Sequence, residues 1–192
     1  LKEFQKLKAG LLAIGAEVEN QLRKAVESIE ARDPEMARAV VVGDFLIDQM
    51  EVELEEECLK ALALYQPVAN DLRLLVAILK INNDLERIGD LAVNIADRTP
   101  VIAGMAELSM PFDFEHICSA SQDMLRKSLE AFVHLDTDLA YKVLDMDSKV
   151  DDINRRIHQQ AEELVMRDPA NGRVPHDQFL RLLMDAPVDV VN

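Results

Sequence analysis

Residues 7–34, LKAGLLAIGAEVENQLRKAVESIEARDP, decide the fold class of this chain. Their apolar residues recur at spacings of three and four, the period of one buried face of an α-helix. These residues are Leu7, Leu11, Ile14, Val18, Leu22, Ala25 and Ile29. Asp33 and Pro34 then end the helix and begin another, with Asp33 as N-cap and Pro34 at the first helical position. The stretch therefore predicts a long helix followed by a tight turn.

The same period continues along most of the 192 residues and predicts six helices. A second helix runs to Gln66 and Pro67, and a third carries apolar residues from Ile78 to Ile95. A fourth begins near Asp113, and a fifth ends at Asp168 and Pro169. A sixth begins near Pro175 and fades at Ala186 and Pro187. With 6 Gly, 2 Tyr and no Trp, the composition disfavours a β fold.

The two halves of the chain resemble each other at a fixed offset of 103 residues. The string LRK occurs at residues 22–24 and again at 125–127. The matched pairs include Asp33 with Asp136, Val40 with Val143, Asp44 with Asp147, and Asp48 with Asp151. We therefore predict an all-α fold of two tandem three-helix bundles, because short loops make consecutive helices antiparallel neighbours. The first repeat covers residues 1–98, a linker covers 99–112, and the second repeat covers 113–192.

The net charge of −15 limits the partners that this chain can bind. An acidic surface repels nucleic acid and anionic lipid, so we expect neither as a partner. No apolar run approaches the ~20 residues of a membrane span, and no signal segment opens the sequence. Cys58 and Cys118 are isolated and are typical of reduced core residues. These features predict a cytoplasmic protein, and Leu1 in place of Met suggests that the natural chain begins earlier.

Carboxylates form stripes on three of the predicted helices, since residues three or four apart share a helix face. The stripes are Asp44, Asp48, Glu51 and Glu55 on the second helix; Asn83, Glu86, Asp90, Asn94 and Asp97 on the third; and Asp147, Asp151, Asn154 and His158 on the fifth. Each is expected one residue after the apolar stripe of its helix, flanking the buried seam. Like charges at this spacing cost a few tenths of a kcal/mol per pair.

Bound cations would remove that cost, and carboxylate oxygens suit iron, Mg²⁺, Mn²⁺, Ca²⁺ or Zn²⁺. The candidate metal ligands are Asp44, Asp48, Glu51, Glu86, Asp90, Asp147 and Asp151. The alternative is that the stripes are solvated, with Arg73 and Arg87 forming ordinary ion pairs on the third helix. Gly89 has two interpretations as well: close approach of a backbone or an ion, or a neutral place on an exposed face.

Three strings in the third-helix region resemble the PhoU family of phosphate-transport accessory proteins. They are QPVANDLR at residues 66–73, NDLERIGD at 83–90 and NIA at 94–96. The similarity covers nearly the whole chain and implies metal clusters on Glu/Asp-x-x-x-Asp motifs. These motifs fall on Asp44 and Asp48, on Glu86 and Asp90, and in the second repeat on Asp147 and Asp151. No second ERIGD-like string follows residue 180, so we expect an incomplete last helix.

The resemblance also implies a role. Proteins of this family restrain phosphate uptake and the phosphate-starvation response from the cytoplasm. They connect the ATPase subunit of the phosphate ABC transporter to a membrane sensor histidine kinase, and they are usually homodimers. None of these expectations follows from the periodicity or the charge of the chain.

Two other functions stay open at this stage. A carboxylate-bridged metal enzyme, an oxidase or a phosphohydrolase, is one, although no HExxH, phosphate-loop or GxSxG string is present. Di-iron bundles also pair Glu with a Glu-x-x-His motif that this chain lacks. The other is a metal-independent helical scaffold whose acidic faces bind basic partner surfaces. The prediction is of a binding protein without enzymatic activity.

Overall fold

A computed structural model describes residues 2–104 and 113–167, with side chains described as far as residue 160. The helices are α1 Lys2–Ala31, α2 Pro34–Tyr65, α3 Ala69–Ala96, α4 Thr99–Ala103, α5 Phe114–His134 and α6 Thr137–Arg167. The described residues contain no strand, which confirms the all-α prediction. The predicted sixth helix, near Pro175, and the predicted stop at Asp168 and Pro169 lie outside the described residues.

Equivalent aspartates cap the second helix of each repeat. The Asp33 carboxylate accepts hydrogen bonds from the Glu35 and Met36 backbone N–H groups at 2.9 and 3.3 Å. One offset of 103 residues later, the Asp136 carboxylate accepts a hydrogen bond from the Leu139 N–H at 2.9 Å. A side-chain oxygen at this place satisfies an N–H group that the helix leaves without a partner. The predicted Asp33 cap therefore forms, and the matched Asp136 caps the equivalent helix, as the duplication implies.

Helices α1, α2 and α3 pack pairwise into the first bundle. On α3 the buried residues recur at alternating spacings of three and four, the pattern of a coiled-coil seam, whereas Val40, Ile47 and Leu54 of α2 are seven apart. The apolar core comprises Leu7, Leu11, Ile14, Val18, Ile47, Leu54, Cys58, Ala61, Leu75, Ile78, Leu85 and Leu129. Three polar residues interrupt this seam, namely Gln21, Ser28 and Asn82. Burial of the apolar residues contributes about 1.5–3 kcal/mol for each large side chain.

The first residues of the predicted linker form the short helix α4. This helix lies against α1 and α2. Its Thr99 is buried, and the Thr99 and Ser28 hydroxyl oxygens are hydrogen-bonded at 2.8 Å. Ile102 is buried beside it. The chain therefore remains packed against the first bundle for one further turn after α3.

Helix α1 also carries the contact between the two repeats, because α5 packs against it. The Gln122 side chain donates to the Glu19 carbonyl at 2.7 Å, and the Lys8 ammonium donates to the Val133 carbonyl at 2.6 Å. Helix α6 packs against α5. Within the described ranges, no helix is long and apolar enough to cross a membrane.

Candidate metal-binding acidic face

Helices α2 and α3 place the carboxylates of the first repeat on one surface. We call Asp44, Asp48, Glu51, Glu86 and Asp90 the acidic face. At one end of the acidic face, Gly89 of α3 lies against Asp44 of α2. At the other end, Asn82 of α3 donates a hydrogen bond to Glu51 of α2. Asn82 and Gly89 of α3 lie beside Glu51 and Asp44 of α2, respectively, so the two helices are antiparallel. The structure therefore brings the stripes of the second and third helices together.

Asp44 and Glu51 lie closer to the core than the sequence prediction placed them. On α2 the buried residues Val40, Ile47 and Leu54 are seven apart, and Asp44 and Glu51 fill the seam positions between them. Both carboxylates are half-buried, whereas Asp48 is exposed. The expectation that the whole stripe follows the apolar seam by one residue is therefore wrong for these two. The reason is that the apolar period of α2 itself skips residues 44 and 51.

The carboxylates of the acidic face perturb one another. Burial raises the pKa of Asp44, and the nearby charges of Asp48 and Asp90 raise it further. Burial likewise raises the pKa of Glu51, with Glu55 and Asp48 as the neighbouring charges. Desolvation and like charges both disfavour an ionised carboxylate. The acidic face therefore concentrates negative charge that the helices alone do not compensate.

Glu86 shows the coupling across the two helices most fully. Burial raises the pKa of Glu86, and the four other carboxylates of the acidic face add to this effect. They are, in decreasing order, Asp90, Asp48, Glu51 and Asp44. Three of these four belong to α2, so the repulsion acts between helices as well as along α3. A cation placed here would reduce the repulsion of all five groups at once.

Gly89 is a buried residue of the α2–α3 contact. A Cβ atom at this position would lie 3.1 Å from Ile47 Cδ1 and 3.2 Å from Asp44 Oδ1. The interpretation of Gly89 as a neutral place on an exposed face is therefore wrong. Close approach is correct, and the nearest neighbours are the Ile47 and Asp44 side chains rather than a backbone. Glycine at this position leaves room for the Asp44 carboxylate beside the seam.

Asn82 supports Glu51 from inside the bundle. It is 1% exposed, and its side-chain N–H group donates to the Glu51 backbone carbonyl at 2.9 Å and to the Glu51 carboxylate at 3.4 Å. The Asn82 Oδ1 atom has no partner among the described residues. Asn82 is not among the candidate site residues that the sequence patterns predict. Its signal is a polar residue at an apolar position, seven residues from both Leu75 and Gly89.

The expected ion pairs do not form on this surface. In the part of the chain with described side chains, no Lys or Arg makes an ion pair with a carboxylate of the acidic face. Arg73 and Arg87, the expected partners, are both exposed. Their long side chains gain little from an exposed pair, since such pairs contribute about 0–1 kcal/mol. Ion pairs with the described Lys and Arg side chains are therefore not what allows these carboxylates to lie together.

The donor chemistry of the acidic face fits a hard cation. It offers carboxylate oxygens on two adjacent helices, and the buried Asn82 side chain donates to one of these carboxylates, that of Glu51. No three His, Cys, Asp or Glu side chains within the described ranges converge as a ready ligand set. The fit is therefore one of charge, oxygen donors and proximity.

The candidate ligands of the second repeat have a different setting. Asp147 and Asp151 lie on the exposed side of α6. Helix α6 packs against α5, and the helix predicted to follow it falls outside the described residues. The structure does not bring Asp147 and Asp151 together with the acidic face. Metal binding at these two residues stays a prediction.

The described histidines belong to helices other than α2 and α3. The first 104 residues contain none, and His116, His134 and His158 belong to α5 and α6. A di-iron oxidase site built on the Glu-x-x-His pattern requires histidine beside its carboxylates. The acidic face has only oxygen donors among its described residues, so this arrangement does not favour an oxidase.

Together these observations define a class: an acidic, all-helical tandem-bundle protein with a carboxylate surface between two helices of its first repeat. Residues 11–99 and 114–185 each match the protein family described as the PhoU domain. These two matches confirm the tandem arrangement. The chain belongs to the PhoU family.

Several relatives carry the same family name. A "phosphate-specific transport system accessory protein PhoU homolog" from Aquifex aeolicus is 35% identical over 180 residues, which span 93% of this chain and 81% of the relative. A homolog of the same name from Pseudomonas aeruginosa is 37% identical over 168 residues, spanning 87% and 69%. The PhoU accessory protein from Escherichia coli is 31% identical over 166 residues, spanning 86% and 69%.

Two crystal structures are similar in fold. PhoU from Pseudomonas aeruginosa superimposes with a TM-score of 0.80 at 35% identity, covering 95% of this chain and 84% of the other. The phosphate transport system regulatory protein PhoU from Streptococcus pneumoniae superimposes with a TM-score of 0.78 at 25% identity, covering 96% and 86%.

Proposed function

We propose that this chain is a regulatory accessory protein of phosphate-specific transport that restrains phosphate uptake and the phosphate-starvation response. It acts by binding and not by catalysis. In this proposal it links the ATPase subunit of the phosphate ABC transporter to a sensor histidine kinase, at the cytoplasmic side of the membrane and as a homodimer. The observation that carries the regulatory role is the family match over both repeats.

The names of the relatives support this role. Those from Aquifex aeolicus, Pseudomonas aeruginosa and Escherichia coli are all called accessory proteins of the phosphate-specific transport system. The neighbour from Streptococcus pneumoniae is called a regulatory protein. None of these names describes a catalytic activity. The acidic face, without histidine among its described residues, is consistent with binding.

An exposed apolar stripe on α2 supports partner binding. Val42, Phe45, Val52 and Leu59 lie on the side of α2 away from the bundle seam. Phe45 is 72% exposed, and each of the other three is more than half exposed. Isolated apolar residues are common on surfaces, but a row along one helix is typical of protein contact surfaces. A long helix with such a row offers an extended surface to a partner.

We further propose that the acidic face binds divalent or trivalent cations. Iron, Mg²⁺, Mn²⁺, Ca²⁺ and Zn²⁺ all accept carboxylate oxygens. The mutual repulsion of Asp44, Glu86 and their neighbours supports a cation, because its binding relieves that repulsion. Occupancy of the acidic face would then change the surface that α2 and α3 present to partners.

The regulatory role can be tested in the organism that encodes this chain. The gene is deleted, and alkaline phosphatase or another phosphate-starvation reporter is assayed in phosphate-replete medium. We expect high reporter activity in the deletion strain and low activity after the intact gene is restored. Low activity in the deletion strain would contradict the regulatory role.

The same strain tests the acidic face. Asp48→Asn with Asp90→Asn removes one exposed charge from each of α2 and α3, and we expect this variant not to restore low activity. Glu53→Gln with Asp84→Asn is the matched control, because both residues are exposed on the same two helices outside the acidic face. The control should restore low activity. Equal restoration by both variants would show that the acidic face has no part in regulation.

A further inference from the structure

Asn82 is placed where packing alone would favour an apolar residue. It is one of the seam residues of α3, with Ile78 and Leu85 as buried neighbours in the same series. A buried oxygen without a hydrogen-bond partner costs about 1–3 kcal/mol. A leucine at this position would avoid that cost and add apolar contact. The asparagine therefore needs another explanation.

Register is the ordinary explanation for an asparagine in a helical seam, since one polar residue can fix how helices pair. The contacts of Asn82 are more specific than that. Its N–H group reaches the carboxylate of Glu51 as well as the Glu51 backbone carbonyl. Both contacts join α3 to Glu51, the residue of the acidic face on α2 that lies beside Asn82.

We propose that Asn82 is a positioning residue of the cation site. Its side-chain N–H group holds the Glu51 carboxylate at the α2–α3 seam. This inference rests on the proposed metal binding at the acidic face. Partners behind the direct ligands orient those ligands, and their removal weakens metal binding about 10- to 100-fold.

Gln21 provides a matched control in the same bundle. It is 3% exposed, and its Oε1 atom also has no partner among the described residues. Its side chain packs against Gly43, the residue before Asp44, and donates to Glu17 at 3.1 Å rather than to a carboxylate of the acidic face. Gln21→Leu therefore removes the same kind of buried amide without touching Glu51.

The test uses the purified full chain, stripped of metal with EDTA, and Mn²⁺ as the probe. Calorimetric titration gives the Mn²⁺ Kd, and thermal unfolding gives the stability of the metal-free form. We expect Asn82→Leu to raise the Kd by about tenfold or more, while its metal-free Tm stays equal or rises. Gln21→Leu should keep the Kd of the unsubstituted protein. Asn82→Ser, too short to reach Glu51, replaces Asn82→Leu if the leucine variant does not fold.

The outcomes separate the two proposals. If the unsubstituted protein binds none of Mn²⁺, Mg²⁺, Ca²⁺, Zn²⁺, Fe²⁺ and Fe³⁺, the metal proposal fails, and the role of Asn82 fails with it. If it binds Mn²⁺ and the Asn82 variants bind equally well, metal binding stands and Asn82 is only a register residue. An equal loss of affinity in Gln21→Leu would also overturn the role, because the effect would then be a general one of core substitution.

Discussion

The Cα of Gly89 on α3 faces the Asp44 carboxylate on α2 so closely that an added Cβ would lie 3.2 Å from Asp44 Oδ1. The same Cβ would lie 3.1 Å from the end of the Ile47 side chain. Glycine thus sets the distance between two helices at the acidic face. The glycine in the string NDLERIGD at residues 83–90 is therefore explained by the room that the Asp44 and Ile47 side chains need.

Gly89→Ala should weaken cation binding while leaving the fold nearly as stable. Alanine improves helix propensity by about 1 kcal/mol, and the crowding of Ile47 and Asp44 offsets that gain. We expect the free energy of unfolding, measured with urea in EDTA, to change by less than about 1 kcal/mol. We expect the Mn²⁺ Kd to rise, because the methyl group displaces the Asp44 carboxylate.

Gly10→Ala is the control for that experiment. Its Cβ would also lie 3.1 Å from a side-chain end, that of Leu54 Cδ1, and no carboxylate is near. The two variants should change stability by similar amounts, and Gly10→Ala should keep the Mn²⁺ affinity. Unchanged affinity in Gly89→Ala would show that Asp44 is not a ligand.

In the metal-free protein, the ionised carboxylates of the acidic face should lower the free energy of unfolding in a pH-dependent way. The pKa values of Asp44, Glu51 and Glu86 are raised by burial and then by like charges. The folded chain therefore binds these protons more tightly than the unfolded chain, and the associated stability is lost as the pH rises above the ordinary carboxyl range of about 4. Asp44→Asn with Glu51→Gln and Glu86→Gln should stabilise the protein at pH 7 in EDTA.

The check is the difference in unfolding free energy between the variant and the unsubstituted protein, measured by urea at pH 7 and near pH 5. We expect the difference to shrink as the pH falls. The comparison is necessary because Glu57 and Asp123 have lowered pKa values, from hydrogen bonds with Lys6 and Lys127, and oppose the trend in the whole protein. A difference that is constant with pH would mean that the three carboxylates titrate normally.

The sequence predicted the helices well because their signals are local. Asp33 and Pro34 predict the start of α2. The apolar period from Leu7 to Ile29 predicts the buried side of α1. A helix cap can be recognised from the capping residue and the three residues after it. The buried side of a helix can be recognised from the spacing of its own apolar residues. These features do not depend on what the rest of the chain does.

The sequence predicted which carboxylates belong to the acidic face, but it did not predict how deeply each of them is buried. Spacing showed that Asp44 and Glu86 lie on stripes, but spacing did not show that α3 covers Asp44 or that Asn82 lies behind Glu51. Those facts depend on which helix faces which, and on a register between α2 and α3 that neither helix specifies by itself. The short helix α4 was missed because Pro100 and Gly104 are typical of loops, while its burial depends on Ser28 across the bundle.

The Cys58 thiol should be unreactive in the folded protein. It is buried, and burial raises its pKa to about 11, with Glu55 and Glu57 adding smaller effects. Since the thiolate is the reactive form, a raised pKa and poor access both slow its alkylation. Iodoacetamide at pH 8 should modify neither Cys58 nor the buried Cys118 in the folded protein. In urea it should modify both. Rapid labelling of Cys58 without urea would mean that the end of the first bundle opens readily.

Gly15 of α1 and Leu129 of α5 form the close contact between the two repeats. A Cβ on Gly15 would lie 2.3 Å from Leu129 Cδ1, the movable end of that side chain. We expect Gly15→Ala to change stability by less than about 1 kcal/mol, since helix propensity offsets the shift of Leu129. Gly15→Leu should cost about 1–3 kcal/mol by overpacking. A double-mutant cycle with Leu129→Ala, followed by urea unfolding, should show that truncating Leu129 relieves Gly15→Leu. Additive effects would mean that the repeats are held together elsewhere, at contacts such as that of Gln122 with Glu19.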